Sequence, residues 1–156
     1  MAHQTNVSSD LIWELCRPNN AYLVKRKGGG GAQFSKDPLN LTNKHSRKYA
    51  GFVNSKAVGV LPAEKGGVTL ITKKTKHQNR PAANRHEVTF AGNKSGPKVY
   101  KGIVNYTAKQ NYRADLRQEA VARASAIRES SRPKQDTPEK KVRGAKAKKA
   151  AAVAES

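Results

Sequence analysis

Two periods of apolar positions run along this chain, and the places where one gives way to the other divide it into elements. The clearest helical period lies between Tyr112 and Arg128. At 100° per residue, Leu116, Ala120, Ala124 and Ile127 fall on one narrow stripe. The residues between them are mostly Ala, Arg, Glu and Gln, which are strong helix formers. Asp115 is placed to cap the N-terminus, with Gln118 three residues on reaching back as in a capping box. Pro133 ends the element at or before Arg132. Two of the four stripe residues are Ala, so the helix is expected to approach its neighbour closely. Arg117 and Arg128 border the stripe on one side and Arg123 on the other, with stems that can cover the seam while the guanidinium groups reach outward.

Shorter elements precede it. Ser8 or Ser9 can cap a helix through Cys16, with Leu11, Ile12 and Leu15 at helical spacing and therefore expected in the core. Period-two or β-branched runs at 21–26, 49–53, 57–61 and 68–72 read as short strands, separated by turns at Pro18–Asn20, Asn54–Lys56 and Pro62–Gly67. Val99, Ile103 and Tyr106 fit one face of a further helix, although Gly102 weakens it. Short strands with tight turns followed by helices predict an α+β fold: a small antiparallel β-sheet packed with a few α-helices.

Between residues 73 and 98 the apolar pattern breaks down. Seven bases are interleaved with Gln, Asn, Pro, Gly and His, and Glu87 is the one acid. This composition predicts a basic extended arm that orders on a charged partner, with Val88–Phe90 as a small anchor. From 133 to 156 the chain is rich in Lys and Ala and is expected to form a disordered basic C-terminal tail. The expected organisation is a flexible N-terminus at 1–9, a single α+β domain at 10–132 with its arm at 73–98, and the tail at 133–156.

Charge turns this pattern into a statement about partners. The chain has 156 residues, 31 Lys and Arg against 11 acids, and a net charge of +20. Residues 1–71 carry 10 bases and 4 acids, 72–112 carry 9 and 1, and 113–156 carry 12 and 6. A surplus in every part, rather than in one tail, says that the body itself faces a polyanion, for which nucleic acid is the default.

Other chemistry finds little support. Gly28–Gly31 follows a strand, but no Gly-Lys-Ser/Thr ending opens a helix, so a flexible hairpin loop fits better than a phosphate loop. His3, His45, His77 and His86 are scattered without metal-site spacing, and the acids are too separated for an acid–base pair. Cys16 is the single cysteine, which excludes an internal disulfide and a Cys-based zinc site, and its apolar neighbours predict a buried, inert thiol. No apolar run reaches the ~20 residues of a membrane span, and none has signal-peptide form. The expectation is a soluble intracellular protein without catalytic, cofactor or metal sites, membrane association or a small-molecule substrate.

The order and spacing of several segments resemble the eukaryotic large-ribosomal-subunit protein family numbered twenty-eight. They are Leu11–Trp13, Tyr22–Arg26, Phe34–Leu41, Arg47–Val53, Ala57–Ala63, Asn111–Arg117 and Ala122–Ile127. The Gly28–Gly31 loop looks like an insertion, Ala114 stands where Pro is common, and 73–110 matches loosely. The resemblance implies a structural component of the cytosolic ribosome, bound to large-subunit ribosomal RNA, next to other ribosomal proteins, and passing through the nucleus and nucleolus for assembly. A ribosome-assembly factor and a chromatin-type protein, the latter suggested by the Lys/Ala tail, are the alternatives. The residues expected to meet RNA are Lys25, Arg26, Lys27, Arg47, Lys48, Lys73, Lys74, Lys76, Arg80, Arg85, Arg113, Arg117, Arg123 and Arg128.

Overall fold

Val58, Val60, Val68 and Leu70 alternate with residues of the opposite sheet face on two neighbouring strands, and their side chains begin the core. In the computed structural model these strands are β3 (Val58–Pro62) and β4 (Val68–Lys73), joined in a three-stranded antiparallel sheet of order β3-β4-β5 with β5 (Arg85–Phe90). Val60 pairs with Leu70, and Leu70 with Val88. A separate two-stranded hairpin joins β1 (Leu23–Lys25) to β2 (Gln33–Ser35). Gly29, Gly30 and Gly31, all at positive φ near 70°, make its turn. The structure describes residues 7–77, 80–134 and 143–154. Parts of the expected N-terminus, arm and tail (1–6, 78–79, 135–142 and 155–156) lie outside these.

Two helices cover one face of the sheet. α2 (Gly96–Val104) buries Val99 and Ile103 and continues through a π-turn at Asn105–Lys109. α3 (Arg117–Ser130) follows a 3₁₀ turn at Ala114–Leu116. Leu116, Ala120 and Ala124 are buried with the valines of β3 and β4, and Ile127 packs at the margin. The stripe read from the sequence is therefore the seam. Gly102, which weakens helix propensity, is needed where it stands: a Cβ there would lie 2.6 Å from the Phe90 ring. The other face of the sheet carries a smaller cluster of Leu39, Ala57 and Ile71. Gly59 admits the Pro38–Leu39 segment against it, since a Cβ would meet the Pro38 carbonyl at 2.6 Å.

Several expectations are corrected. Residues 85–90 form a full strand rather than a small anchor in an arm, Lys73 ends β4 and Gly96–Lys98 open the following helix; among the described residues between β4 and β5 the chain makes a 3₁₀ turn at Thr75–His77 and a further turn at 81–83. Tyr49–Val53 is a series of turns, not a strand, because Ala50 and Val53 are both buried at a spacing of three and Gly51 presses on Leu39. α1 (Ser9–Cys16) is capped by Ser8 as predicted, but it contributes no buried residue; Leu11 and Leu15 are 51% and 69% exposed. Polar contacts hold it instead. Arg47 donates to Ser9 and Asp10, and Trp13 lies 4.9 Å from the His45 ring. Cys16, at the end of α1, is consequently half-buried rather than fully buried. Asp115 does not cap α3, because its carboxylate is taken by Arg113. Ala145–Ala154, within the expected tail, is helical (α4), as its Ala and Lys content allows.

Candidate nucleic-acid interface

A cation can serve a phosphate only if its donors are not already bonded inside the fold. The fourteen predicted residues divide on that criterion. Arg113 is bonded on every nitrogen. Nε and Nη2 donate to Asp115 at 2.8 and 2.7 Å, Nη1 to the Lys56 carbonyl at 2.9 Å, and Nη2 also to the Lys48 carbonyl at 3.2 Å. Arg47 ties α1 to the turn region through Ser9, Asp10 and Asn54. Lys73 turns inward from the end of β4 and donates to the carbonyls of Gly51 and Asn54. Burial holds its ammonium below the usual lysine range, with Asp37 opposing the effect. These three belong to the scaffold.

A second group is partly engaged. Lys48 pairs with Glu119 on α3 at 3.1 Å, and this hydrogen bond raises its pKa. Glu119 also accepts from the Tyr49 hydroxyl at 2.9 Å. Burial works to raise the Glu119 pKa, but its hydrogen bonds outweigh burial and leave it lowered. Arg123 reaches the Leu41 carbonyl and Arg128 the Lys94 carbonyl. Lys25 bonds the Pro18 carbonyl. Arg26 lies over the Phe34 ring at 5.8 Å.

The remaining cations are exposed and form three patches. Lys74 and Lys76 line an open cleft with Lys56, His77 and Tyr112, and Lys73 forms its inner wall. Arg80 and Arg85 are exposed on the same β4–β5 connection and at the start of β5. Arg117 and Lys101 flank a groove between α2 and α3 whose apolar floor includes Tyr100, Val104 and Val121. Lys27 is exposed on the β1–β2 hairpin, next to the partly engaged Arg26. Sequence reasoning missed Lys56 and Lys101. Lys56 joins the cleft only through a contact with residues nearly twenty positions away, over which no local pattern runs. Lys101 was legible as the polar side of the Val99–Ile103 helix.

Tyr112 holds the cleft's inner wall in place. Its hydroxyl donates to the Lys73 carbonyl at 2.7 Å and receives the Ala57 N–H at 3.3 Å, and burial raises its pKa. Among the described residues no group of three His, Cys, Asp or Glu is placed to hold a metal ion, and no helix is long and apolar enough to cross a membrane. The arrangement offers dispersed donors on a rigid α+β body, which is suited to neutralising a phosphate backbone at several points.

Comparison with known proteins gives a consistent result. The model of the Ribosomal L28e protein family matches residues 11–130. A Schizosaccharomyces pombe protein named large ribosomal subunit protein eL28 is 43% identical over 129 residues, covering 83% of this chain and 96% of that protein. A Dictyostelium discoideum protein of the same name is 35% identical over 85 residues, 54% of this chain and 61% of that protein. A third, from Caenorhabditis elegans, is 40% identical over 76 residues, 49% of this chain and 57% of that protein.

Proposed function

This chain belongs to the Ribosomal L28e protein family, and from that membership we propose that it is a structural, non-catalytic constituent of the large subunit of the cytosolic ribosome, anchored by Lys and Arg contacts to ribosomal RNA phosphates. The observation that carries this reading is the match along almost the whole of a protein named for the large subunit. The charge of +20 supports the RNA partner, since a compact body of this charge is favoured when a polyanion neutralises it. The contacting set is narrower than composition suggests. Of the predicted residues, Lys74, Lys76, Arg80, Arg85 and Arg117 have donors to offer, and Lys56 and Lys101 stand beside them. Lys27 joins them on the hairpin, while Arg47, Lys73 and Arg113 hold the body that presents them. Neighbouring ribosomal proteins complete its surroundings, and assembly takes it through the nucleolus.

Gradient fractionation of cells expressing a tagged chain tests the reading. The chain is expected in mature large subunits and in translating ribosomes. Recovery only with nucleolar precursors would make it an assembly factor, and recovery with chromatin would overturn the ribosomal assignment.

A further inference from the structure

Between the β1–β2 hairpin and the start of β5 lies a cavity of about 120 Å³, lined by Tyr22, Phe52, Asp37, Lys73, Asn84 and Arg85 among others. That is several times the ~10–15 Å³ needed to admit one water. Its aromatic wall is a Tyr22–Phe52 pair with centroids 5.9 Å apart, tilted by 42°. Asp37 is buried and already satisfied: Oδ1 accepts the Leu39 N–H and Oδ2 the Phe52 N–H, both at 2.9 Å. Lys73 donates to two backbone carbonyls. Asn84 differs from both. Its Oδ1 is buried and has no hydrogen-bond partner, although buried acceptors are nearly always paired. Arg85 is exposed beside it at the mouth.

We infer that this cavity receives one unpaired nucleobase of the bound RNA. Single-stranded RNA is recognised by stacking splayed bases on aromatic rings or guanidinium planes and by hydrogen bonds to the base edge. Tyr22 and Phe52 supply the ring surface and Arg85 a guanidinium plane at the mouth. This inference deepens the RNA-binding reading and rests on it.

The test is a titration of the isotope-labelled full chain, followed by NMR, with AMP, CMP, UMP and ribose 5-phosphate at one salt concentration. AMP, CMP and UMP are expected to shift resonances of Tyr22 and Phe52 saturably. Ribose 5-phosphate is expected to move only the surface lysines. Tyr22→Leu should weaken AMP binding about 5- to 150-fold, the range for loss of one stacked base. Arg85→Gln, at an exposed position, is the variant to read if Tyr22→Leu melts early, and it should also weaken AMP binding. In parallel, wild-type affinity for a large-subunit ribosomal RNA fragment is measured at several salt concentrations. Identical shifts from all four ligands, with RNA binding still steeply salt-dependent, would overturn the pocket alone. Absence of salt-dependent RNA binding would overturn the RNA reading and the pocket with it.

Discussion

Arg113 and Arg117 carry the same charge four residues apart, yet the fold gives them opposite roles. Arg113 closes a network that joins the start of α3 to the carbonyls of Lys48 and Lys56, and its side chain is only 17% exposed. Arg113→Ala leaves those acceptors and Asp115 without their donor, so it should lower stability by roughly 1–3 kcal/mol, read by denaturant or thermal melting. Arg113→Lys should recover only part of this, because an ammonium cannot span the same fork of acceptors. Arg117 is exposed on the α2–α3 groove. Arg117→Ala should leave the melt within ~0.5 kcal/mol of the parent while weakening RNA binding at a fixed salt concentration. A large melting defect with unchanged RNA affinity would reverse the two roles. The sequence shows that both residues are basic and border a helix. Which one faces a set of backbone carbonyls depends on where the 48–56 turns lie, and no local signal contains that.

The elements were legible in proportion to how much of their pattern is local. α3 was read correctly on its seam, since the buried Leu116, Ala120 and Ala124 are the predicted stripe. Its start was not, because Asp115 has a stronger partner in Arg113 than in the helix N-terminus. β4 was visible from its β-branched alternation. β5 was hidden: it is an edge strand whose Arg85, His86 and Glu87 are exposed. Charge on an edge is a normal protection against strand addition, and in sequence it looks like an unstructured arm. α1 shows the reverse error, because its apolar spacing is real but the core is elsewhere.

Two predictions follow from how α3 is seated. Ala124→Leu adds volume at a fully buried position against the sheet and should cost roughly 1–3 kcal/mol; Leu116→Ala should cost roughly 2–5 kcal/mol by leaving a cavity. Both are read as shifts in the unfolding midpoint. Acid should act on the same region. Asp115 is held below its ordinary value of 3.8 by the hydrogen bond from Arg113, and Glu119 below 4.5 by its hydrogen bonds against the pull of burial. The folded chain therefore binds fewer protons than the unfolded chain around those values. The stabilisation is complete above them and is lost as pH falls through the lower folded values. The melting temperature should decline more gently with acid in the Asp115→Asn, Glu119→Gln double variant than in the parent. Parallel declines would show that these carboxylates are not responsible.

At the scale of the whole molecule, charge is divided between cations bonded into the scaffold and exposed cations that we propose as the interface. A net charge of +20 points to a polyanionic partner, and the overall α+β class was readable from the strand and helix patterns. The division was not, because hydrogen bonding to distant carbonyls decides it. Three of the predicted residues that stay free, Lys74, Lys76 and Arg80, lie exposed on the connection between β4 and β5. The most direct test compares the salt dependence of binding to a large-subunit ribosomal RNA fragment for the parent chain and for Lys74→Gln, Lys76→Gln, Arg80→Gln combined. With about 0.7–0.9 of slope per phosphate contact, the plot of log affinity against log salt should flatten by roughly 2–3 in the triple variant, while the melting temperature stays unchanged. An unaltered slope would contradict the account and place the RNA contacts on another part of the surface.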